Sequence, residues 1–277
     1  MKTAKQVCWI VQDNLIAPKD LNALKQACHA GGHRYAPIVV PPFTEAIPQL
    51  EHDGPVIFYG SARLTVAIAA NNPWTPGVFF DEAAFTPSRY ADAYGQHMLN
   101  ADAIWTTLRA LDEDLLSKEE RWFIRPDHDG KSFAGGVMTS TELLSWRAKL
   151  VATETTISIA APVVLAPVKQ IEREWRLFIV DGEVVTGSQY RCGEERKLDG
   201  ALAADLVTFA QERANAWSPE RAFVMDIARL SEGSFKIVEL NGINSCGFYA
   251  AEVSVFVESL SALASEIYED RVAAQKV

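Results

Sequence analysis

Residues 223–247 read FVMDIARLSEGSFKIVELNGINSCG, and the fold of the chain is decided by how this stretch is read. Two apolar runs, Phe223–Leu230 and Phe235–Leu240, flank the turn signal Ser231–Ser234, which predicts an antiparallel hairpin. A turn centred between Glu232 and Gly233 puts Asp226 directly opposite Glu239, and lengthening that turn symmetrically leaves the pair intact. Facing like charges on a sheet cost a few tenths to about 1 kcal/mol, and more when buried. Burial is what the apolar neighbours Val224, Met225, Ile227, Ile237, Val238 and Leu240 predict. Asn241 lies two residues beyond Glu239 and so shares its side of the strand. Two carboxylates and an amide oxygen suit a hard cation such as Mg²⁺, which shares its shell with phosphate oxygens and water. On this reading only a cation reconciles the two acids. Two alternatives stand beside it: a pairing of the acids with Arg229 or Lys236, or a bulge that turns them to opposite faces.

Working outward, the segment EREWRLFIVDGEVVTGSQYR at 172–191 folds back at Asp181-Gly182, a strong hairpin signal. Glu174 and Arg176 share one face by their spacing, and Trp175 and Leu177 predict a fixed, partly buried guanidinium. A structural ion pair of Arg176 with Glu174 or Glu172 is the alternative. Upstream, FIRPDHDGKSFAGG at 123–136 places Arg125 at a strand end, Lys131 after a turn, and Gly135-Gly136 beyond it. Glycines allow close approach of a backbone to phosphate oxygens, and Lys or Arg neutralises them. The same residue types are common in solvated turns, and no GxxxxGK[ST] loop occurs. Thr139 with Glu142 forms a capping box that opens a helix over 142–151. Ala201–Trp217 and the stripe Val253, Phe256, Val257, Leu260, Leu263, Ile267 predict two further helices.

The first hundred residues alternate strand and helix signals: strands at Val7–Val11, Tyr35–Val40, Val56–Tyr59 and Gly77–Phe80, helices at Leu21–Ala30 and Ala62–Ala70. That rhythm predicts a small parallel α/β unit. A helix is expected over 101–118, with a boundary near 110, giving domains 1–110 and 111–277. The fold class is therefore α/β, with α+β character and hairpins in the C-terminal half. The 277 residues carry 26 basic and 36 acidic side chains, a formal charge of −10. Such a field disfavours a nucleic-acid partner and requires a local basic pocket for any polyanion. Cysteines 8, 28, 192 and 246 and histidines 29, 33, 52, 97 and 128 show no metal spacing, so reduced structural thiols are expected. Cys246 is read as a buried thiol rather than a nucleophile. No leader or apolar span of about 20 residues stands in the sequence, which predicts a soluble cytoplasmic protein without a membrane partner.

Together the segments resemble the ATP-grasp superfamily over roughly 115–250. Within it they are similar to a clade with RPD…KxFxG where most members carry Lys-Pro, a difference that bears on the phosphate geometry. The resemblance implies a small pre-ATP-grasp-like α/β domain followed by an ATP-grasp domain of antiparallel sheets and helices. It implies ATP and Mg²⁺ as cofactors, with Asp226, Glu239 and Asn241 on the metal. It places Arg125, Lys131, Gly135, Glu174 and Arg176 on ATP, with Glu174 at the ribose. The strand VVLAPVK at 163–169 meets the adenine edge through Pro167, Val168 and Lys169. Lys131, Arg176 and Arg191 become the catalytic charges, and Arg191, Asn244 and Tyr249 line the acceptor side. The 244–249 segment reads equally as an ordinary loop. The activity implied is a carboxylate–amine ligase acting through an acyl phosphate on a small-molecule or peptide carboxylate and an amine. A phosphotransferase and a non-catalytic nucleotide-binding protein are the alternatives.

Overall fold

The structure, a computed structural model, describes residues 6–41, 46–128, 133–153 and 157–275. The first strands are short, and the two at 8–12 and 56–59 are buried throughout, as befits the middle of a parallel sheet covered on both faces. They are β1 (Cys8–Gln12), β2 (Arg34–Ile38), β3 (Val56–Tyr59) and β4 (Pro76–Gly77), in sheet order β2-β1-β3-β4, all parallel. Helix α1 (Pro18–Ala30) and helix α2 (Ala62–Asn71) make the crossovers. Ser61 caps α2 by accepting from the Leu64 amide at 3.3 Å. Helix α3 (Pro87–Tyr94), unforeseen in the sequence, begins with Pro87 in its first turn.

Residues 101–118 do not form the expected helix. They give strand β5 (Ile104–Thr107), a 3₁₀ turn at Leu108–Ala110 and the single turn α4 (Glu113–Leu116). The run Ile104-Trp105-Thr106-Thr107 is β-branched or aromatic throughout and finds a strand to pair with, which overrides the helical pattern. That strand comes later in the chain. After β6 (Arg121–Pro126), β7 (Gly136–Thr139) and α5 (Ser140–Ala152), strand β8 (Pro162–Pro167) enters between β5 and β6. The sheet β5-β8-β6-β7 is antiparallel throughout. The boundary expected near 110 would cut β5 from this sheet, so residues 104–107 go with the second half. The Thr139–Glu142 capping box forms as read.

The remaining elements build a five-stranded antiparallel sheet, in order β11-β10-β9-β12-β13. Its members are β9 (Ile171–Val180), β10 (Glu183–Cys192), β11 (Glu195–Asp199), β12 (Ala222–Leu230) and β13 (Phe235–Gly242). Helix α6 (Ala204–Ala216) and helix α7 (Val253–Ala274) cover its two faces. Leu177, Ile179, Phe223 and Met225 pack with Leu206 and Ala210 of α6 and with Tyr90 and Tyr94 of α3. On the other face Phe178, Val180 and Val224 join Phe256 and Leu260 of α7, together with Trp9 and Val11 of β1. One core thus runs from the parallel sheet through α7 to the five-stranded sheet. No helix among the described residues is long and apolar enough to cross a membrane.

Candidate nucleotide and metal site

The face of the five-stranded sheet that α7 covers changes character along its length. On β12 and β9 the apolar Val224 and Phe178 give way to Asp226 and Arg176, which stand opposite each other. On the other side Asp226 faces Glu239 of β13, the pair read from the sequence, although the turn is centred on Glu232 and pairs Arg229 with Phe235. A bulge follows immediately, so that Ile227 pairs with Ile237 and Val238 is the extra residue. It returns Ile227 and Ile237 to the α6 core without turning Glu239 away from Asp226. Arg229 instead reaches Glu172 at 3.6 Å, and Lys236 donates to the Gln96 carbonyl at 2.7 Å. Neither alternative partner therefore meets the acids.

What reconciles the two carboxylates in this structure is a pair of arginines, which corrects the expectation that a cation alone does so. Arg176 donates to both Asp226 oxygens, at 2.9 and 2.8 Å, in a bidentate fork. Arg125 crosses from the four-stranded sheet and donates to Glu239 Oε2 at 2.9 Å. The amide of Asn241 bridges the acids, 3.1 Å from Glu239 and 3.4 Å from Asp226. Asp226 is 3% exposed. Burial raises its carboxyl above the usual range, against the opposing pull of Arg176. Burial is the largest single influence on Arg176 and works against its charge. The hydrogen bonds and charge of Asp226, with smaller contributions from Cys246 and Tyr249, together outweigh it and hold the guanidinium above its ordinary value.

The donor set fits Mg²⁺ shared with a polyphosphate. Asp226 and Glu239 offer neighbouring carboxylate oxygens, and Asn241, which here turns its Nδ2 to both, would add its amide oxygen on rotation of the amide. No cluster of three or more His, Cys, Asp or Glu that would bind a metal alone occurs among the described residues.

The other expected residues divide. Glu174 is buried on the same face and accepts from Arg191 Nη1 at 3.1 Å and the Tyr190 hydroxyl at 3.4 Å. So Arg191, not Arg176, is its partner. Gly135 lies beside Arg125: a Cβ there would sit 3.1 Å from that of Arg125. Pro167 ends β8, and Lys169 just beyond it is ion-paired with Asp102. Val168 is exposed. Lys131 lies outside the described residues. Tyr249, in the left-handed region at φ 55°, stacks on Tyr190 at 5.1 Å and lies 5.2 Å from the Arg176 guanidinium. Asn244 is not on the acceptor side. It is fully buried, donating to the Phe58 carbonyl at 2.7 Å and accepting from the Phe79 amide at 2.8 Å. Cys246 is likewise buried, its thiol pushed up to about 12. Tyr190 and Arg196, the latter 5.9 Å from the Tyr249 ring, were missed in the sequence. Only the aromatic-basic pattern YRC…ERK hints at them.

A parallel sheet followed by two antiparallel sheets is the arrangement of the ATP-grasp class of fold. The chain belongs to it: residues 67–260 match the ATP-grasp domain, R2K clade family 3. The fold is also similar to that of D-cycloserine synthetase DcsG, 14% identical with a TM-score of 0.64, covering 93% of this chain and 99% of that one. The ATP-grasp ligase PsnB complexed with minimal precursor is 17% identical, with a TM-score of 0.59, covering 95% and 98%. The D-alanine-D-alanine ligase from Coxiella burnetii is 11% identical, with a TM-score of 0.62, covering 99% and 98%. Comparison with curated protein sequences finds no match.

Proposed function

We propose that the chain is an ATP-dependent carboxylate–amine ligase that binds Mg-ATP between its two antiparallel sheets and works through an acyl phosphate. The observation that carries this is the convergence of Arg125 and Arg176 on Asp226, Glu239 and Asn241. The cluster as it stands balances two guanidiniums against two carboxylates. Bound Mg²⁺ would supply charge neutralisation at the phosphates, freeing Arg125 and Arg176 to hold phosphate oxygens. Arg191 and Lys131 stand as further cations for the transferred phosphoryl group. A substrate carboxylate oxygen would take the γ-phosphoryl group from ATP, releasing ADP. An amine would then attack the acyl carbon, forming the amide and releasing phosphate. Tyr249 and Arg191 line the side from which that carboxylate enters. In this reading the nucleotide-binding unit begins between α3 and β5, and the parallel sheet forms the substrate-side unit. D-cycloserine synthetase DcsG, the ATP-grasp ligase PsnB and D-alanine-D-alanine ligase share the fold, which supports ligation over simple phosphoryl transfer.

Binding is tested by thermal denaturation. Mg-ATP at about 100 times its dissociation constant stabilises the protein by ~2.7 kcal/mol, and Glu239→Ala loses that shift. Equal shifts in both proteins, or none in the wild type, discard the ATP assignment. Turnover is tested by phosphate release, which requires both a carboxylate and an amine, and by hydroxylamine trapping of the acyl phosphate. Phosphorylated product that accumulates without amine identifies a phosphotransferase instead.

A further inference from the structure

Three strands of the five-stranded sheet carry one cross-strand row of charge. Glu174 of β9 stands opposite Arg191 of β10, which stands opposite Arg196 of the edge strand β11. Tyr190 is the extra residue of a bulge that brings Arg191 opposite Glu174. Like charges directly opposite on a sheet repel, and this row holds two guanidiniums against one carboxylate. Glu174 takes up Arg191, accepting from its Nη1 at 3.1 Å, while Arg191 Nε donates to the Gly193 carbonyl at 2.8 Å. Arg196 is left over. Among the described residues it makes no ion pair and no side-chain hydrogen bond, and it rests 5.9 Å from the centre of the Tyr249 ring. The Arg176 guanidinium lies 5.2 Å from the same centre. Tyr249 is fixed there by its left-handed backbone and by stacking on Tyr190. One ring thus spaces two cations: Arg176, committed to Asp226, and Arg196, exposed and without a counter-ion.

We propose that the acid activated here is a dicarboxylate: one carboxylate meets the phosphoryl group beside Arg176, and the second pairs with Arg196 across the Tyr249 ring. The two guanidiniums are no further apart than their distances to the ring laid end to end, a span filled by a short carbon chain with a carboxylate at either end. A guanidinium holds a carboxylate through two parallel N–H donors. A carboxylate placed there also relieves the repulsion between Arg191 and Arg196. The tyrosine ring gives the carbon chain an apolar wall. Local positive charge at the solvent edge draws in a dianion that the net charge of −10 otherwise repels. Arg196 is thereby a specificity-determining residue, touching the substrate away from its reacting atoms. This inference rests on the ligase reading of the site and adds to it the class of acid.

The test uses the full chain as wild type, Arg196→Ala, Arg196→Lys and Arg196→Glu, each in the presence of Mg-ADP. Calorimetry gives dissociation constants for succinate, glutarate and adipate and for the monoamide of each. The tripeptides Ala-Ala-Glu and Ala-Ala-Gln form a second arm, which separates a free diacid from a peptide-borne one. The wild type binds at least one diacid on the order of tenfold more tightly than its monoamide. That ratio falls towards one in Arg196→Ala, is partly kept in Arg196→Lys and inverts in Arg196→Glu. A merely structural role for Arg196 would weaken diacid and monoamide alike and leave the ratio where it was. A wild type that prefers no diacid in either arm, or a preference that survives Arg196→Ala, overturns the proposal. The ligase reading is judged separately, by phosphate release from Mg-ATP with each acid and hydroxylamine. Release that is equal for diacids and monoamides leaves that reading standing and the proposal fallen, whereas no release with any acid overturns both.

Discussion

At the residue scale the site is a balance of charges that neither partner could hold alone. Asp226 sits 3% exposed, and burial raises its carboxyl. A carboxyl raised in the folded state favours the protonated form there. The penalty for its charge is thus felt above its folded pKa and fades as pH falls through it. In the wild type Arg176 offsets that penalty. Arg176→Ala leaves the charge buried and is expected to cost about 3–5 kcal/mol near neutral pH, with the loss shrinking towards acid pH. Urea denaturation at two pH values measures this, and Arg176→Ala/Asp226→Asn should recover part of the neutral-pH loss. If the double variant is no more stable than the single, burial of the charge is not the cause. The cysteines give a second residue-scale expectation. Cys8, Cys28 and Cys246 are buried and Cys192 is half-buried. Burial holds the Cys28 and Cys246 thiols at about 12 and raises Cys8. A disulfide reagent near pH 8 should therefore titrate one thiol in the native protein, Cys192, and all four after denaturation. Rapid native reaction at Cys246 would contradict the packing around it.

At the scale of elements, turns decide how much could be read. The turn pairs Arg229 with Phe235 and so is centred on Glu232, and the bulge at Val238, between that turn and the acids, restores Asp226 opposite Glu239. The pair is read correctly from spacing because the two offsets cancel. The Asp181-Gly182 turn is just as plain, with both residues at positive φ, 48° and 81°. Yet two register shifts in β9–β10 move Arg191, rather than Gln189, opposite Glu174. No pattern in the residues announces those bulges, so the Glu174–Arg191 pair could not be read. Arg125 and Glu239 are 114 residues apart and meet only because two sheets face each other. The helix expected over 101–118 failed for a related reason: β5 is stabilised by β8, which lies some sixty residues away in the chain. Gly182 gives the prediction at this scale. A Cβ there would clash with Asn215 Oδ1 on α6, and the backbone is left-handed. Gly182→Ala is expected to destabilise by more than about 1 kcal/mol. Thermal melts of Gly182→Ala and Gly182→Ala/Asn215→Ala separate the two causes, because only the clash is relieved in the double variant.

At the scale of the whole molecule the question is what keeps the parallel sheet registered on the carboxylate-bearing hairpin. A shared core around α7 supplies the adhesion, but adhesion between apolar surfaces does not specify a register. Asn244 does. Three residues past Asn241, it ties Phe58 of β3 and the Phe79 amide with the two ends of one amide, while its own carbonyl accepts from Gly60 at 2.9 Å. The Tyr59 hydroxyl adds a bond to the Cys246 carbonyl. Asn244→Ala would strand a buried carbonyl and a buried amide, each costing about 1–3 kcal/mol, and would loosen the parallel sheet relative to β13. Asn244→Asp keeps the acceptor for Phe79 but loses the donor to Phe58, so a smaller loss from the broken bond is offset by an unpaired charge. Both variants should melt well below the wild type, and both should retain the Mg-ATP shift, since Asp226, Glu239 and Arg176 are untouched. A variant that melts like the wild type would show that α7 packing alone sets the register. A stable variant that loses the Mg-ATP shift would return Asn244 to the binding site.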